Sequence, residues 1–226
     1  MTTDRLAEAC AGIGGFAPQD ARDQQMWQRL TAFCAREPKA FERDPTTGHV
    51  TGSAFILSPD LSAVLLTHHA KLDRWLQLGG HCDGIADARF TAQKEAYEES
   101  GLARISLLSD QVFDIDIHEI PANSREAAHL HYDVRYLFRA EAGDIRASAE
   151  SKALAWVPLA ELAQYSQAES VLICRKNWPG CTAQAAKCPT GTAAIRQVGH
   201  NRLLVAAHCG GGITAFPSTR DQTGRW

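Results

Sequence analysis

The chain has 226 residues, enough for one large domain or for one domain with an appendage. Hydrophobic residues make up 45% of the sequence and charged residues 22%, which excludes wholesale disorder and a fibrous repeat. The formal net charge of −3 excludes a protein that coats nucleic acid, and no apolar run approaches the roughly 20 residues that cross a bilayer. The start contains no apolar segment of signal-peptide length and the seven cysteines are an odd number, so we expect reduced thiols and a cytoplasmic location.

The composition changes sharply near residue 174. Residues 174–226 contain seven basic residues, one acidic residue and four of the seven cysteines. We therefore expect a helical segment at 1–45 that packs on the core, a main domain at 46–173, and a loosely ordered basic extension at 174–226. The first three cysteines of this extension are seven residues apart, wider than the pairs of known zinc modules, which disfavours a zinc site there.

In the first half of the chain the hydrophobic pattern predicts two helices and a hairpin. The helices are expected over residues 4–12 and roughly 19–36, the second because apolar residues recur at about 3.6-residue spacing. Apolar runs at 54–57 and 63–66, joined by a Ser-Pro-Asp turn, predict a β-hairpin. A short strand at 75–78 is expected to lead directly into a pair of glycines.

In the second half, a helix is predicted over about 87–99, with Gly101 suited to a left-handed cap. Apolar and polar residues alternate over 112–120 and 129–138, as they do in half-buried strands. A further strand at 153–157 precedes a short helix. This order of elements predicts an α/β layered domain with a mixed sheet.

Three carboxylates form the first candidate site. On the predicted helix, Glu95, Glu98 and Glu99 stand at i, i+3 and i+4 and so share one face. Like charges this close are unfavourable unless a cation lies among them, and Mg²⁺ prefers such oxygen ligands together with substrate phosphate. The preceding Gly79-Gly80 lets the backbone approach that face, where a carbonyl could add a ligand. A solvated acidic helix is the alternative, but the strand–Gly-Gly–loop–helix–Gly context favours a site.

The segment from Gly80 to Leu102 resembles the box of the Nudix hydrolases. Aligned from its right-hand end, Lys94-Glu95-Ala96-Tyr97-Glu98-Glu99-Ser100-Gly101-Leu102 fits the box with Lys in place of Arg, and Gly80 lies at the correct distance. The early Glu of the box falls on Ala86, which is a departure from the pattern. The wider resemblance covers about residues 48–171.

The resemblance implies an α/β/α sandwich with a mixed sheet. It further implies a pyrophosphohydrolase that uses Mg²⁺ or Mn²⁺ and cleaves, by water attack on phosphorus, the diphosphate linkage of a nucleoside diphosphate linked to another moiety. Glu95, Glu98 and Glu99 would be metal ligands, with the carbonyl of Gly79 as an extra ligand. One of these carboxylates would accept the proton of the attacking water. Lys94 would hold Glu95 by an ion pair, without the bidentate fork of an arginine.

The histidines form the second candidate site. His129, His131 and Asp133 share one strand face, and His118 has the same parity on the preceding strand. If the two strands are neighbours, these side chains could line a wet cleft and contact substrate, or hold a second metal of the Zn²⁺ or Mn²⁺ type. A plain solvent face is an equal alternative.

Two further residues complete the predicted substrate-binding set. Gly80 adjoins the glutamates, and His81, which follows the glycines directly, is favoured over His49 as a functional residue. A loop-stabilising hydrogen bond is the alternative role for His81. Cys82 is interpreted as a small filler, with a nucleophile as the less favoured interpretation.

Two other functions stay open at this point. An enzyme like isopentenyl-diphosphate isomerase would use the same fold with a His-rich metal site and a cysteine, which His81 and Cys82 could supply. A non-catalytic nucleotide-binding module is prompted by Ala86 and Lys94. The expected partner is a small-molecule diphosphate, with no nucleic-acid polymer and no membrane, and a homodimer is left open.

Overall fold

The structure of the protein is a computed structural model. It describes residues 10–43, 47–124, 126–149, 151–178 and 204–205. Its helices are α1 (Ala21–Arg36), α2 (Ala88–Ser100), α3 (Leu162–Tyr165) and α4 (Glu169–Asn177), with a short 3₁₀ turn at Leu159–Glu161. Among the described residues, none of these helices is long and apolar enough to cross a membrane.

Nine strands form one mixed sheet. The strands are β1 (Gly48–Leu57), β2 (Ala63–His69), β3 (Arg74–Leu76), β4 (Leu78–His81), β5 (Ile105–Leu107), β6 (Asp114–Ile120), β7 (His129–Ala140), β8 (Ser151–Pro158) and β9 (Leu204–Val205). The main path runs β5-β7-β1-β2-β8-β9, while β3 pairs with β2, β4 with β1 and β6 with β7. The β1–β7 and β8–β9 pairs are parallel and the others are antiparallel.

Helices cover both faces of this sheet, as expected for an α/β/α sandwich. One buried cluster joins Val50 and Ile56 of β1 to Phe33 of α1 and to the alanines of α2. A second cluster joins the alternate residues of β1, among them Phe55, to Val171 of α4. Because successive residues of a strand point to opposite faces, the two clusters are two separate cores.

Helix α2 lies very close to the sheet. Its sheet-facing residues Ala88, Ala92 and Ala96 are fully buried, and a Cβ at Gly52 of β1 would collide with the carbonyl oxygen of Ala88. The helix ends at Gly101, whose φ of 64° is the left-handed conformation that favours glycine. The predicted glycine cap is thus confirmed, and the small alanine side chains are what allow the close approach.

Several predicted elements need correction. The predicted strand at 75–78 is wrong as one element, because β3 pairs with β2 whereas β4 turns to pair with β1. The prediction omitted β5 and α4. The predicted helix at 4–12 falls largely outside the described residues, and Cys10 to Ile13 form a turn. Most of the extension at 174–226 also lies outside the described part of the chain.

Candidate functional site

A cleft of about 650 Å³ opens between α2 and the polar face of β1, β6 and β7. It brings together most of the residues predicted from the sequence. The predicted residues that line it are Gly79, Gly80, His81, Glu95, Glu98, Glu99, His131 and Asp133. Lys94 is linked to the cleft through its ion pairs with the lining glutamates. His129 is not among the described residues that line the cleft.

The glutamates of α2 form one side of the cleft. Glu95 is the more enclosed, with 17% of its side chain exposed against 59% for Glu98. The ammonium of Lys94 lies 2.9 Å from Glu95 Oε1 and 3.1 Å from Glu98 Oε2, which confirms the predicted ion pair and adds a second one. Hydrogen bonds donated to these two carboxylates raise the pKa of Lys94. Gly80 is needed opposite, since a Cβ there would lie 2.7 Å from Glu95 Cδ.

Asp133 organises the opposite side of the cleft. Its carboxylate accepts hydrogen bonds from Thr51 Oγ1 at 3.0 Å, Ser53 Oγ at 2.7 Å and Gln77 Nε2 at 3.3 Å. The Nε of Arg135 donates a fourth bond at 2.8 Å. A buried carboxylate held by four donors has a fixed position, so Asp133 sets the arrangement of the side chains around it.

A buried ion-pair network continues from there beneath the cleft. The guanidinium of Arg135 is fully buried, with Nη1 2.7 Å from Asp114 Oδ2 and Nη2 3.1 Å from Asp116 Oδ2. Arg22 of α1 adds a second cation, 2.9 Å from Asp114 Oδ1. Burial acts to raise the pKa of Asp116, but the hydrogen bond from His118 and the charge of Arg135 outweigh it and hold the pKa at about 2. Asp133, which joins this network, is only 3% exposed, so the alternative of a plain solvent face is wrong for that residue.

Five histidines form a cluster at the other end of the same face. Adjacent ring centroids within this histidine cluster (His49, His81, His118, His129 and His131) are 4.7–5.5 Å apart. Burial, reinforced by the neighbouring imidazoles, lowers the pKa of His49 to about 4 and that of His131 to about 2. These two rings are therefore neutral at neutral pH.

His49 is a buried member of this cluster. It is only 3% exposed and lies at the centre of the cluster, whereas His81, the residue that the sequence favoured, lines the cleft. The parallel ladder pairs His49 with His131, and the antiparallel β6–β7 ladder pairs His118 with His131. The shared parity of His49, Thr51 and Ser53 is the signal that could have indicated this face.

Cys82 faces the core. It is almost fully buried and packs in the α1–α2 cluster, and burial raises the pKa of its thiol to about 11. It is not among the described residues that line the cleft. The filler interpretation is confirmed.

Comparison with protein-family models decides the family. The model described as the NUDIX domain matches residues 48–175, more than half of the chain. The chain belongs to the Nudix family. It is accordingly a pyrophosphohydrolase of the Nudix type, a family that acts on small-molecule diphosphates and generally uses divalent metal ions.

Solved Nudix structures resemble this chain over the same domain. A NUDIX-family hydrolase from Clostridium perfringens is 23% identical, with 57% of this chain and 95% of that chain covered and a TM-score of 0.42. A MutT NUDIX hydrolase from Burkholderia pseudomallei is also 23% identical, with 58% of this chain and 98% of that chain covered and a TM-score of 0.45. The E. coli dihydroneopterin triphosphate pyrophosphohydrolase is 14% identical, with 57% of this chain and 96% of that chain covered and a TM-score of 0.45. No curated protein matches the sequence significantly.

The Nudix box occupies β4, the following loop, α2 and its glycine cap. Its two departures have different surroundings. Lys94, in place of the box arginine, reaches two of the three glutamates. Ala86, in place of the early glutamate, is exposed in the loop before α2.

Proposed function

We propose that this Nudix protein is a metal-dependent hydrolase that cleaves the diphosphate linkage of a nucleoside diphosphate linked to another moiety, by attack of water on phosphorus. One observation carries the proposal: the three glutamates of α2 line the same cleft as His81, His131 and the hydrogen-bonded Asp133. The cleft thus has an acidic side, formed by the glutamates, and a second side rich in hydrogen-bonding groups.

The donor set of the glutamates fits Mg²⁺ or Mn²⁺. Glu95, Glu98 and Glu99, with the carbonyl oxygen of Gly79, offer the hard oxygen ligands that these ions prefer. The missing side chain at Gly80 leaves room beside Glu95 that a Cβ would fill. When bound, such an ion supplies charge neutralisation at the phosphate oxygens and lowers the pKa of a coordinated water.

The chain's own residues then have distinct roles. A carboxylate of the glutamate side accepts the proton of the attacking water. Lys94 fixes Glu95 and balances part of the acidic charge. The imidazoles of His81 and His131 act as hydrogen-bond donors toward phosphate or base, and Asp133 keeps its neighbours in place. The ring of His129 packs beside that of His131, with 5.3 Å between their centroids, and would help to hold it in place.

The alternatives are not favoured. An isomerase of the isopentenyl-diphosphate type needs a cysteine at the reacting centre, and Cys82 is buried away from the cleft with its thiol pKa raised to about 11. Lys94 forms ion pairs with two of the three clustered carboxylates, and this arrangement of charged groups supports a catalytic site over a non-catalytic module. A cytoplasmic location is also proposed, supported by the free thiols of Cys10, Cys34 and Cys82.

A substrate panel tests the proposed function. Full-length protein is incubated with nucleoside triphosphates, dinucleoside polyphosphates, nucleotide sugars and dinucleotide cofactors, with Mg²⁺, Mn²⁺ or excess chelator. We expect metal-dependent release of a nucleoside monophosphate or inorganic pyrophosphate from at least one class, and none with chelator. Isomerisation of an allylic diphosphate, or tight nucleotide binding without turnover in either metal, would contradict the proposal.

A further inference from the structure

We propose that His49, His129 and His131 hold a divalent transition-metal ion of the zinc class, at a site separate from the glutamates of α2. One ligand nitrogen from each of these three histidines lies within 4.8 Å of the others. Three nitrogens at that spacing can converge on one ion with small rotations of the rings. The proposal is independent of the hydrolase activity.

The orientation of His129 matches that of a metal ligand. Its Nδ1 lies 2.8 Å from the carbonyl oxygen of Ala127. A carbonyl only accepts hydrogen bonds, so Nδ1 carries the proton and Nε2 presents its lone pair. Histidines that bind metals commonly donate their other ring N–H to a carbonyl or carboxylate, which fixes both the tautomer and the direction of the ring.

His49 supplies the second, independent observation. Both of its ring nitrogens are buried and have no hydrogen-bond partner among the described residues, and the same holds for Nε2 of His131. A buried polar atom without a partner costs free energy. A metal ion between these rings would satisfy one nitrogen of each and so account for the burial of a polar side chain that is 3% exposed.

The backbone holds these ligands rigidly. His49 and His131 are directly paired in the long parallel ladder between β1 and β7, and His129 lies two residues earlier on the same strand. Arg43 and Glu126, whose charges act on His49, form an ion pair at 3.9 Å, so their charges largely offset each other. Three imidazole ligands suit zinc, cobalt or nickel and are poor ligands for Mg²⁺.

The site would open toward the cleft on one side. His131 lines the cleft as well as belonging to the trio, so an ion held by the trio would lie next to that space. The ring of His81, which also lines the cleft, has its centroid 4.9 Å from that of His49. An ion held there would place positive charge in the cleft, on a different set of ligands from the glutamates.

Zinc retention by the full-length protein tests this site. Wild type and variants are loaded with Zn²⁺, dialysed against buffer containing excess Mg²⁺, and analysed for zinc and protein. We expect wild type and Glu98→Gln to keep about one zinc per chain, and His49→Ala and His131→Ala to bind zinc about a hundredfold more weakly. His68→Ala is the matched control, because His68 lies on β2 outside the cluster, with Nε2 3.2 Å from Asp73.

Cobalt substitution identifies the ligands. We expect a tetrahedral Co²⁺ absorption spectrum without a thiolate charge-transfer band, lost in both histidine variants and kept in His68→Ala. Zinc should also raise the melting temperature of wild type but not of the variants. If His49→Ala fails to fold, the same zinc and cobalt measurements on His131→Gln decide the question, because His131 is only half-buried. No retention by wild type, equal retention in the histidine variants, or a thiolate band from the cysteines would overturn the proposal.

Discussion

At the level of single residues, the role proposed for Lys94 rests on its two short ion-pair contacts. Its ammonium lies between Glu95 and Glu98, where it offsets like charges and orients the carboxylate that is the less exposed. We expect Lys94→Met to lower kcat by about tenfold to a hundredfold, because a displaced carboxylate misplaces the reacting groups.

Lys94→Arg is the matched variant for this test. It keeps the positive charge and restores the residue of the family box, so we expect activity within a few-fold of wild type. Steady-state kinetics on the best substrate of the panel would measure both variants. Equal activity of Lys94→Met and wild type would show that the ion pairs have no catalytic importance.

Arg135 is the second residue whose replacement gives a sharp result. It is fully buried and contacts Asp114, Asp116 and Asp133, so its removal leaves carboxylates buried without their shared cation. We expect Arg135→Met to reduce the free energy of unfolding by about 3–5 kcal/mol, measured by urea denaturation.

The control for Arg135 is an exposed arginine that forms one ion pair within the described part of the chain. Arg104 pairs with Glu141 at 3.1 Å on the surface, and Arg104→Met should change stability by at most about 1 kcal/mol. A loss of that small size for Arg135→Met would mean that the buried network stabilises the fold much less than its geometry indicates.

At the level of elements, the position of the glutamates depends on how closely α2 approaches β1. A Cβ at Gly52 would collide with the carbonyl oxygen of Ala88 and lie 2.9 Å from the backbone nitrogen of Ala92. We therefore expect Gly52→Ala to cost about 1–3 kcal/mol of stability and to lower activity by moving α2.

Gly15→Ala is the matched control for Gly52→Ala. Among the described residues other than its two chain neighbours, none has a heavy atom within 4 Å of a Cβ placed at Gly15, so this change should alter neither the melting temperature nor kcat appreciably. Similar effects from the two substitutions in thermal denaturation and kinetics would contradict the assigned contact.

The elements that the sequence predicted well are those with a local cause. Helix α2 has an alanine face and a glycine cap, and the β1–β2 hairpin has a turn of three characteristic residues. The division of 75–78 between β3 and β4 depends on which neighbouring strand each one pairs with, and local sequence does not specify that choice. Helix α4 was missed because its burial depends on the second core.

The candidate site shows the same limit. The glutamates were predictable because they lie within one turn of one helix. The histidine cluster depends on the register of β1 against β7, two strands about 80 residues apart in the chain. The Arg135 network likewise requires β6, β7 and α1 to meet, so neither alternation pattern indicated that these charges are buried.

At the level of the whole molecule, the two cores are closed by α1 and α2 on one face and by α3 and α4 on the other. Helix α4 runs to Asn177, and Trp178 packs against the second core. We expect a chain truncated after Trp178 to fold, to bind metal at the glutamates and to keep most of its activity. In the described part of the chain beyond Trp178, β9 pairs with Ala155 and Trp156 of β8.

Thermal denaturation and kinetics would check the truncation against the full-length protein. A melting temperature within about 4 °C of the full-length value corresponds to a stability difference of at most about 2 kcal/mol for a domain of this size. An insoluble or inactive truncated chain would show instead that the residues after 178 are a structural part of the catalytic unit.

The most direct test of the account is the dependence of kcat on the glutamates of α2. With saturating Mg²⁺ and the best substrate, we expect Glu98→Gln and Glu99→Gln each to lower kcat by about a hundredfold or more while the metal-free melting temperature stays nearly unchanged. Glu141→Gln, on the surface beside Arg104, should match wild type. Activity within a few-fold of wild type in both Glu98→Gln and Glu99→Gln would contradict the account.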